Sequence, residues 1–463
     1  MRPLSIHGAR LATITAPLED AACSLPPSRR ATRAAKEFAV DKFVIQGGVA
    51  LRGEVEAGTA KNSVLPLLAA TLLTRDKCRI VDAPRLRDVD TMLKILAALG
   101  VECSRGEDGS ITTRVTDDSL VEAPYDLVKT MRASVCVLGP LLGRRKRARV
   151  SFPGGCVFGQ RPIDLHLKGF EALGAKIDIE RGYIVADGSN MHGAAMYLGG
   201  AFGPTVTGTA NVLMAAVLVE GTTLIEMAAC EPEVQDLANF LVKMGADIRG
   251  IGTPTLEIHG VGELHGAEYR PVPDRIETGT FLAAAAITGG QVTVRNCRPD
   301  HLRAAIERLQ TIGCRVETGP DWISCARRGR LKAADITTLP HPGFPTDLQA
   351  QFMATLALAE GVSVVTEKIY PERFMHVAEL QRMRASVRKE GNCAIVQGTD
   401  YLSGAEVMAS DLRASAALVL AGLVAEGETE VRRVYHMDRG YERMEKKLEK
   451  LGARIRREED AEA

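Results

Sequence analysis

Cys156 lies in the segment whose composition best suits covalent or acid–base chemistry. The segment reads Phe152-Pro-Gly-Gly-Cys156-Val-Phe-Gly159-Gln-Arg161-Pro162, with three glycines among the six positions 154–159. Glycines make such a loop mobile and let its backbone approach a ligand closely. Arg161 would lower the pKa of the thiol and could clamp a phosphate or carboxylate with two parallel hydrogen bonds. The alternative is a structural cysteine that packs as a small hydrophobe under a turn.

Three cations open apolar, helix-like segments, where a cation is unexpected. They are Lys61 in Ala-Lys-Asn, Arg132 in Met-Arg-Ala-Ser, and Arg413 in Ser-Asp-Leu-Arg. The first turn of a helix carries partial positive charge, so a cation there is disfavoured unless an anion lies between it and the free backbone N–H groups. The pattern therefore indicates an anionic ligand. Helix capping by the neighbouring Ser, Thr, Asp and Asn residues explains about half of these polar clusters by itself.

Other candidates carry weaker signals. Asp347 and Asp411 are predicted N-caps, with catalysis as the alternative. Arg373 and Arg439 lie just before helical segments, where a solvent-exposed charge is the default. His376 is predicted to be a structural histidine with satisfied hydrogen bonds rather than a base.

An internal repeat must position these residues. Amphipathic helical segments end at positions 100, 174, 245, 313, 384 and 452, at intervals of 74, 71, 68, 71 and 68 residues. Five of these positions hold glycine, which a helix C-terminus prefers in the left-handed conformation, and an alternating strand follows each one. The sixth holds Arg384, which either adopts that conformation at some cost or marks a different kind of helix end.

Each repeat also contains a more apolar helix that is rich in small residues. The predicted ranges are 62–73, 133–142, 210–219, 279–287, 347–359 and 412–425. Helices that are apolar on all sides are buried. Three copies in one globular unit would direct three helix starts at one place. Six copies therefore predict two pseudo-threefold domains, with an anionic ligand in the cleft between them.

The composition limits the classes of function. The chain has 463 residues, enough for two or three domains, with 58 Lys plus Arg against 58 Asp plus Glu and only 4% aromatic residues. This balance argues against nucleic-acid binding through a broad basic surface. No apolar run is long enough to span a membrane. Ten separated cysteines without a Cys-x-x-Cys pair favour a cytoplasmic location and no metal site. Residues 1–40 are predicted to be a disordered extension.

Many of these segments together resemble the enolpyruvyl transferase family, in order from about residue 41 to 455. The matching segments are Gly53-Glu-Val, Ala60-Lys61-Asn62, Thr130-Met-Arg132-Ala-Ser, Pro153-Gly-Gly-Cys156, Gly159-Gln-Arg161-Pro162, Pro273-Asp-Arg-Ile-Glu-Thr-Gly-Thr280, Phe344-Pro-Thr-Asp347, Arg373-Phe-Met-His, Ser410-Asp411-Leu-Arg413-Ala-Ser and Asp438-Arg439-Gly-Tyr-Glu-Arg. The resemblance implies an α/β fold of two inverted, barrel-like domains, each built of three repeated helix–strand units with pseudo-threefold symmetry. It also implies that residues 41–60 and 272–463 form a C-terminal, catalytic domain, and that residues 61–271 form a middle domain carrying the Cys156 loop.

The resemblance implies a reaction as well. The enolpyruvyl group of phosphoenolpyruvate passes to the 3′-hydroxyl of UDP-N-acetylglucosamine with release of phosphate, the first committed step of peptidoglycan synthesis. Addition is followed by elimination: C3 of phosphoenolpyruvate is protonated while the sugar oxygen attacks C2, so the site needs an acid, a base and cations. By the family pattern Cys156 is the general acid, can bond to C2 and is alkylated by fosfomycin, and Asp347 accepts the hydroxyl proton.

The remaining roles implied by the resemblance concern substrate binding. Lys61, Arg161 and Arg439 hold the phosphate and carboxylate, while Asn62 and Asp411 order the intermediate. The other expected substrate-binding residues are Arg132, Pro162, Ile163, Asp164, Leu165, Gly203, Pro204, Thr205, Val206, Ile369, Arg373 and Arg413, together with Asp347. Closure of segment 154–160 would exclude water from the intermediate. We expect two small-molecule substrates, no cofactor, no nucleic-acid partner and no membrane insertion; the sequence predicts no oligomeric state.

Two alternatives stay open. One is a non-catalytic paralogue that keeps the nucleotide-sugar site and regulates the pathway. The other is a transferase with a different acceptor sugar. The joint presence of Cys156, Lys61, Asp347 and Asp411 argues against the paralogue, because a binding module needs neither an acid nor a base.

Overall fold

Six four-stranded sheets repeat one pattern through the protein, whose computed structural model describes residues 40–154 and 163–460. In each sheet a short edge strand lies parallel to its neighbour, and two further strands continue the sheet antiparallel. The three sheets of the first half are, in spatial order, Glu268–Tyr269, Cys78–Ile80, Ile111–Val115 and Val101–Arg105; Glu122–Ala123, Arg147–Ser151, Tyr183–Asp187 and Lys176–Glu180; and Ala195–Tyr197, Thr222–Glu226, Thr255–His259 and Asp247–Arg249.

The second half repeats the same order three times. Its sheets are Arg52–Glu56, Gln291–Arg295, Trp322–Arg327 and Cys314–Thr318; Ile336–Thr337, Val362–Thr366, Cys393–Gln397 and Ser386–Glu390; and Glu406–Met408, Glu428–Arg432, Val40–Gln46 and Arg454–Asp460. A small extra hairpin pairs Gly199–Gly200 with Gly203–Pro204. The repeated units predicted from the sequence are therefore confirmed, and they form the α/β fold that the resemblance implies.

Two kinds of helix accompany each sheet. The apolar, inner helices are Lys61–Ala70, an irregular segment from Arg132 to Arg145, Val206–Ala216, Arg275–Thr288, Gln349–Leu356 and Leu412–Gly422. The amphipathic, outer helices are Arg87–Ala98, Asp164–Ala172, Pro232–Lys243, Arg303–Thr311, His376–Arg382 and Met444–Lys450, and a short helix spans Tyr125–Val128. Every residue from Ile276 to Ile287 is buried, as predicted for helices that are apolar on all sides.

The outer helices end as the repeat predicts. Gly174 and Gly245 have φ of 92° and 105°, in the left-handed region. Arg384 adopts the same conformation with φ of 69°, so the outer helix His376–Arg382 ends like the others and not in a different way. Its guanidinium lies over the ring of Tyr401, 4.6 Å from the centroid, a contact that helps to offset the cost of this backbone conformation.

The regular helix predicted over 133–142 is wrong. The segment is 3₁₀ over Arg132–Val137, α-helical over Leu138–Pro140 and π-helical over Leu141–Arg145. The side chain of Asn211 is the reason: its Oδ1 accepts from the N–H of Gly139 at 2.6 Å, and its Nδ2 donates to the carbonyl of Val135 at 2.8 Å. These backbone groups are therefore bonded outside their own helix.

The N-terminal strands complete sheets of the second half. Val40–Gln46 pairs antiparallel with Glu428–Arg432 and with Arg454–Asp460, as the resemblance implies, and Arg52–Glu56 pairs parallel with Gln291–Arg295. The buried apolar residues form two clusters. The first core lies within residues 64–264, and the second core within 43–57 and 276–455. The predicted division at 60/61 and 271/272 stays a prediction, which this partition supports.

None of the helices in the described ranges combines the length and apolar composition needed to cross a bilayer.

Candidate active site

A buried carboxylate, Asp88, brings together two of the predicted site cations. Lys61, in the first turn of helix Lys61–Ala70, places Nζ 2.7 Å from Oδ2 of Asp88. Arg439, at the end of the 3₁₀ segment Val434–Arg439, places Nε 2.9 Å from Oδ1 of the same carboxylate. Lys61 and Asp88 belong to the elements around the first core, whereas Arg439 comes from the last repeat. The ion pair therefore joins the two halves of the molecule.

Burial and the neighbouring charges act in opposite directions on the pKa values of Lys61 and Asp88. Burial lowers the pKa of Lys61, and the charge of Asp88 only partly opposes that effect. Burial would raise the pKa of Asp88, but Lys61 and Arg439 outweigh it and hold the pKa below its usual value. The carboxylate is thus ionised at neutral pH. The sequence predicts an anionic ligand beside Lys61, and the structure also places the carboxylate of Asp88 next to its ammonium group.

Asp347 is held by two arginines from different repeats. Its Oδ1 accepts from Nη1 of Arg373 at 2.7 Å, and its Oδ2 accepts from Nη2 of Arg413 at 2.9 Å. Both arginines are buried. The prediction that Asp347 is an N-cap is wrong, because both carboxylate oxygens are engaged by guanidinium groups and no side chain caps the short helix Thr346–Leu348. The prediction that Arg373 is solvent-exposed is also wrong, because its side chain is buried and donates to Asp347.

The two arginines make Asp347 a strongly acidic group. Burial alone would raise its pKa, but the charges of Arg413 and Arg373 hold the pKa well below its ordinary range. Arg413 also lies over the ring of Tyr441, 5.4 Å from the centroid. Among the described residues Nη1 of Arg413 is buried and has no hydrogen-bond partner.

A second buried carboxylate fixes the loop that carries Arg373. Glu367 is fully buried and accepts from the hydroxyls of Thr338 and Thr346 at 2.7 and 2.9 Å. It also accepts from the backbone N–H groups of Ile369 and Tyr370 at 2.8 and 3.0 Å. These four hydrogen bonds fix the start of the loop that leads to Arg373. The guanidinium of Arg373 is therefore directed toward Asp347 by a rigid support.

Asp411 is an N-cap, as predicted. Its Oδ1 accepts from the backbone N–H groups of Arg413 and Ala414 at 2.9 and 3.1 Å, at the start of helix Leu412–Gly422. The cap fixes the first turn from which Arg413 extends. Asn62, in the first turn of its own helix, is exposed.

The Asp88 cluster and the Asp347 cluster are linked electrostatically. The positive charge of Arg413 is close enough to contribute to the lowered pKa of Lys61. The two clusters are therefore near enough to interact electrostatically. Lys61, Arg439, Arg373 and Arg413 gather around two carboxylates, Asp88 and Asp347, a concentration of cations that suits an anionic ligand.

Most of the residues expected to bind the nucleotide lie in the first half, whereas Asp347 and Ile369 lie in the second. Ile163 is buried and Asp164 exposed at the start of helix Asp164–Ala172, and a Cβ built on Gly200 would lie 3.0 Å from Leu165. Leu165 is therefore next to the hairpin that contains Gly203 and Pro204. The other expected residues are placed as follows: Thr205 caps helix Val206–Ala216, Val206 is exposed, and Arg132 lies near His166, whose pKa it helps to lower.

Cys156, Arg161 and Pro162 fall outside the described residues. The closure predicted for segment 154–160 and the disordered extension predicted over residues 1–40 also lie outside the described residues, apart from Gly154 and from Val40, which begins a strand. For the described residues, sequence reasoning missed Asp88 and Glu367. Asp88 is in the first turn of a helix, where an acidic residue is ordinary, and no sequence pattern pairs it with Lys61 or Arg439. Glu367 follows a strand and carries no motif.

Two buried histidines should make the free energy of unfolding fall as the pH falls. Burial lowers the pKa of His166 to about 3 and that of His376 to about 4. Nε2 of His376 has no partner within the described ranges, so the prediction of satisfied hydrogen bonds is wrong. Below pH 6.5 these two histidines become protonated in the unfolded chain but stay neutral in the folded protein, so acid favours unfolding. Each histidine should therefore remove about 2 kcal/mol from the free energy of unfolding between pH 7 and pH 5.

Urea titrations of the wild type and of His376→Gln at both pH values measure this effect. The variant should lose about 2 kcal/mol less than the wild type over this interval. His192→Gln, at an exposed histidine, is the matched control and should behave like the wild type. An equal pH dependence in all three proteins would contradict the prediction.

Comparisons with known proteins agree with this geometry. A model of the EPSP synthase family (3-phosphoshikimate 1-carboxyvinyltransferase) matches residues 45–448. The UDP-N-acetylglucosamine 1-carboxyvinyltransferases of Methylacidiphilum infernorum and Idiomarina loihiensis are each 52% identical to the chain, over 420 and 419 residues respectively, or 90% of this chain and 99% of the relative. The crystal structure of the enolpyruvyl transferase NikO from Streptomyces tendae superposes with a TM-score of 0.81 at 25% identity, covering 91% of this chain and 100% of that one. EPSP synthase from Acinetobacter baumannii has a TM-score of 0.69 at 18% identity, over 90% of this chain and 100% of that one, and so shares the fold.

Proposed function

The chain belongs to the EPSP synthase family of enolpyruvyl transferases, and we propose that it acts as a UDP-N-acetylglucosamine 1-carboxyvinyltransferase. It would transfer the enolpyruvyl group of phosphoenolpyruvate to the 3′-hydroxyl of UDP-N-acetylglucosamine and release phosphate, which begins peptidoglycan synthesis. Two relatives of this name, each 52% identical over nearly their whole length, support the choice of acceptor.

The observation that carries the proposal is the gathering of four cations around two carboxylates. Lys61 and Arg439 engage Asp88, and Arg373 and Arg413 engage Asp347. Phosphoenolpyruvate carries a phosphate and a carboxylate, and cations fixed before the reaction stabilise charge that develops on such groups without reorganisation. In the proposed site Lys61, Arg439 and Arg161 hold these two anionic groups.

The addition step needs one proton donated and one proton removed. Cys156 donates a proton to C3 while the 3′-oxygen of the sugar attacks C2, and Asp347 accepts the hydroxyl proton. In the elimination step C3 returns a proton to the Cys156 thiolate and the C2–O bond to phosphate breaks, so a C2–C3 double bond forms again, the product is an enol ether of the sugar, and phosphate is released. Asn62 and Asp411 order the tetrahedral intermediate between the two steps. Cys156 would also be free to bond to C2.

The low pKa of Asp347 constrains this mechanism. A carboxylate between two arginines is a weak base, so it would not remove the hydroxyl proton before attack begins. The proton should instead move as the C2–O bond forms, when the hydroxyl becomes strongly acidic. The proposed role therefore requires Asp347 to be positioned rather than to be basic, and Arg373 and Arg413 provide that positioning.

The nucleotide sugar would bind along the first half of the molecule. Residues 161–165 and 203–206 come from neighbouring elements, and Gly203 faces Pro340 of the second half, since a Cβ at Gly203 would lie 2.9 Å from Pro340 Cγ. Arg132 and Ile369 would add contacts at the two ends. This arrangement would place the sugar between the cores, with its 3′-hydroxyl toward Asp347.

Phosphate release on mixing the protein with phosphoenolpyruvate and UDP-N-acetylglucosamine tests the proposal. We expect release that depends on both substrates and a product heavier than the acceptor by one enolpyruvyl group. Release only with another UDP-sugar would identify a different acceptor. Release with neither, while both nucleotide sugars bind, would favour the non-catalytic paralogue and reject the proposed activity.

We also propose a cytoplasmic location. The described cysteines at positions 78, 103, 136, 230, 297, 314, 325 and 393 are all free thiols, which supports a reducing compartment.

A further inference from the structure

Asp88 belongs to none of the sequence motifs described above. Its side chain is only 5% exposed, and it contacts one cation from each half of the molecule. Lys61 donates to its Oδ2, and Nε and Nη2 of Arg439 face its two oxygens at 2.9 and 3.5 Å. A buried carboxylate with two cationic partners is either a purely structural ion pair or a device that holds these partners for a ligand.

The donor count favours the second reading. A lysine ammonium has three N–H donors and an arginine guanidinium has five. Asp88 engages one donor of Lys61 and the Nε and Nη2 side of Arg439, so both cations keep donors that Asp88 does not use. We propose that Asp88 is a positioning residue for phosphoenolpyruvate: it fixes Lys61 and Arg439 in one orientation across the two halves and leaves their remaining donors for the substrate. This inference rests on the proposed function.

Asp88 also favours the charged form of Lys61. The charged groups that act most strongly on Lys61 are Asp88, Arg439 and Arg413. Burial lowers the pKa of Lys61, the two arginines lower it further, and among these charged groups Asp88 opposes them. Without the carboxylate, Lys61 would lose its proton at a lower pH. An enzyme that needs the ammonium form would then lose activity at a lower pH than the wild type does.

Asp88→Asn is the first test, because asparagine keeps the shape and removes the charge. We expect kcat/KM for phosphoenolpyruvate to fall by about 100-fold, mostly through KM, while KM for UDP-N-acetylglucosamine changes less than about threefold. The alkaline limb of the pH profile should move to lower pH. Asp118→Asn is the matched control: Asp118 also pairs with arginines, Arg75 and Arg144, and lies in the same half outside the proposed site. That variant should keep the wild-type profile.

A second measurement does not depend on turnover. Acetylation of Lys61 by acetic anhydride, followed by mass spectrometry across pH, reports when its ammonium loses a proton. The midpoint should fall in Asp88→Asn and stay in place in Asp118→Asn. An unchanged midpoint together with an unchanged KM for phosphoenolpyruvate would overturn the proposal. An inactive wild type with a shifted Lys61 midpoint would reject the proposed reaction but not the role of Asp88 toward Lys61.

Asp88→Glu decides the matter if the asparagine variant does not fold. The charge is retained, so the midpoint of Lys61 acetylation should stay near that of the wild type. The longer side chain displaces Arg439, and KM for phosphoenolpyruvate should rise by about tenfold. A glutamate variant with wild-type KM would show that the orientation of the two cations is immaterial, and would overturn the positioning role.

Discussion

The Asp347→Asn variant should turn over about 1,000-fold more slowly than the wild type, because it removes the group that accepts the 3′-hydroxyl proton. Asparagine fills the same space but presents a neutral amide to Arg373 and Arg413. Affinity for phosphoenolpyruvate should not fall, since removal of a negative charge makes the site more positive. The loss should therefore appear in kcat, and phosphate release under saturating substrates measures it.

The same variant carries a cost in stability that must be measured separately. Loss of one partner from a buried ion pair leaves uncompensated charges, here on two buried arginines, and costs about 3–5 kcal/mol. Asp300→Asn is the matched control, because Asp300 also makes two hydrogen bonds to one arginine, Arg298, but near the surface. If the folded Asp347→Asn protein kept wild-type kcat, Asp347 would not be the proton acceptor.

The pH profile offers an independent check on Asp347. Its folded-state pKa lies well below the ordinary range, so the carboxylate stays ionised at every pH at which the protein is assayed. Loss of activity on the acid side should therefore not follow protonation of Asp347. Its contribution to stability is complete above the pKa of an unfolded aspartate and is lost only as pH falls through the depressed folded value.

The sequence predicted those features that depend on local rules. Glycines at regular intervals marked the ends of the outer helices, and the apolar composition of the inner helices predicted their burial. Asp411 caps its helix as expected, because capping involves residues close in the chain. Even Arg384, which breaks the pattern, obeys the geometry of the repeat.

The pairing of charges could not be predicted, because partners distant in the chain decide it. Asp347 looks like an N-cap in the sequence, yet Arg373, 26 residues further along the same repeat, and Arg413, from the next repeat, engage it. The irregular helix after Arg132 has a similar cause, since Asn211 takes hydrogen bonds that a local rule assigns to the helix itself. The resemblance to a family named Arg373 and Arg413 as binding residues but gave no reason for their placement.

Cys156 carries the second large effect. Proton donation to C3 needs an acid that is strong enough to give up its proton at neutral pH. A serine hydroxyl is far too weak, so Cys156→Ser should be slower by about 1,000-fold or more. Aspartic acid has a similar reach and is a stronger acid, so Cys156→Asp should keep activity within about tenfold of the wild type, with an optimum at lower pH where the carboxyl is protonated.

Cys230→Ser provides the control for these two variants, since Cys230 is a half-buried free thiol elsewhere in the chain. Phosphate release at several pH values separates the outcomes. Equal loss in the serine and aspartate variants would mean that the thiol acts through its sulfur, by bonding to C2, and not as an acid.

Labelling with fosfomycin, read by mass spectrometry, tests the reactivity of Cys156 without turnover. Alkylation of Cys156 in a Cys230→Ser background would show a reactive thiol. A label on another cysteine would remove the reason to place Cys156 at the reacting carbon.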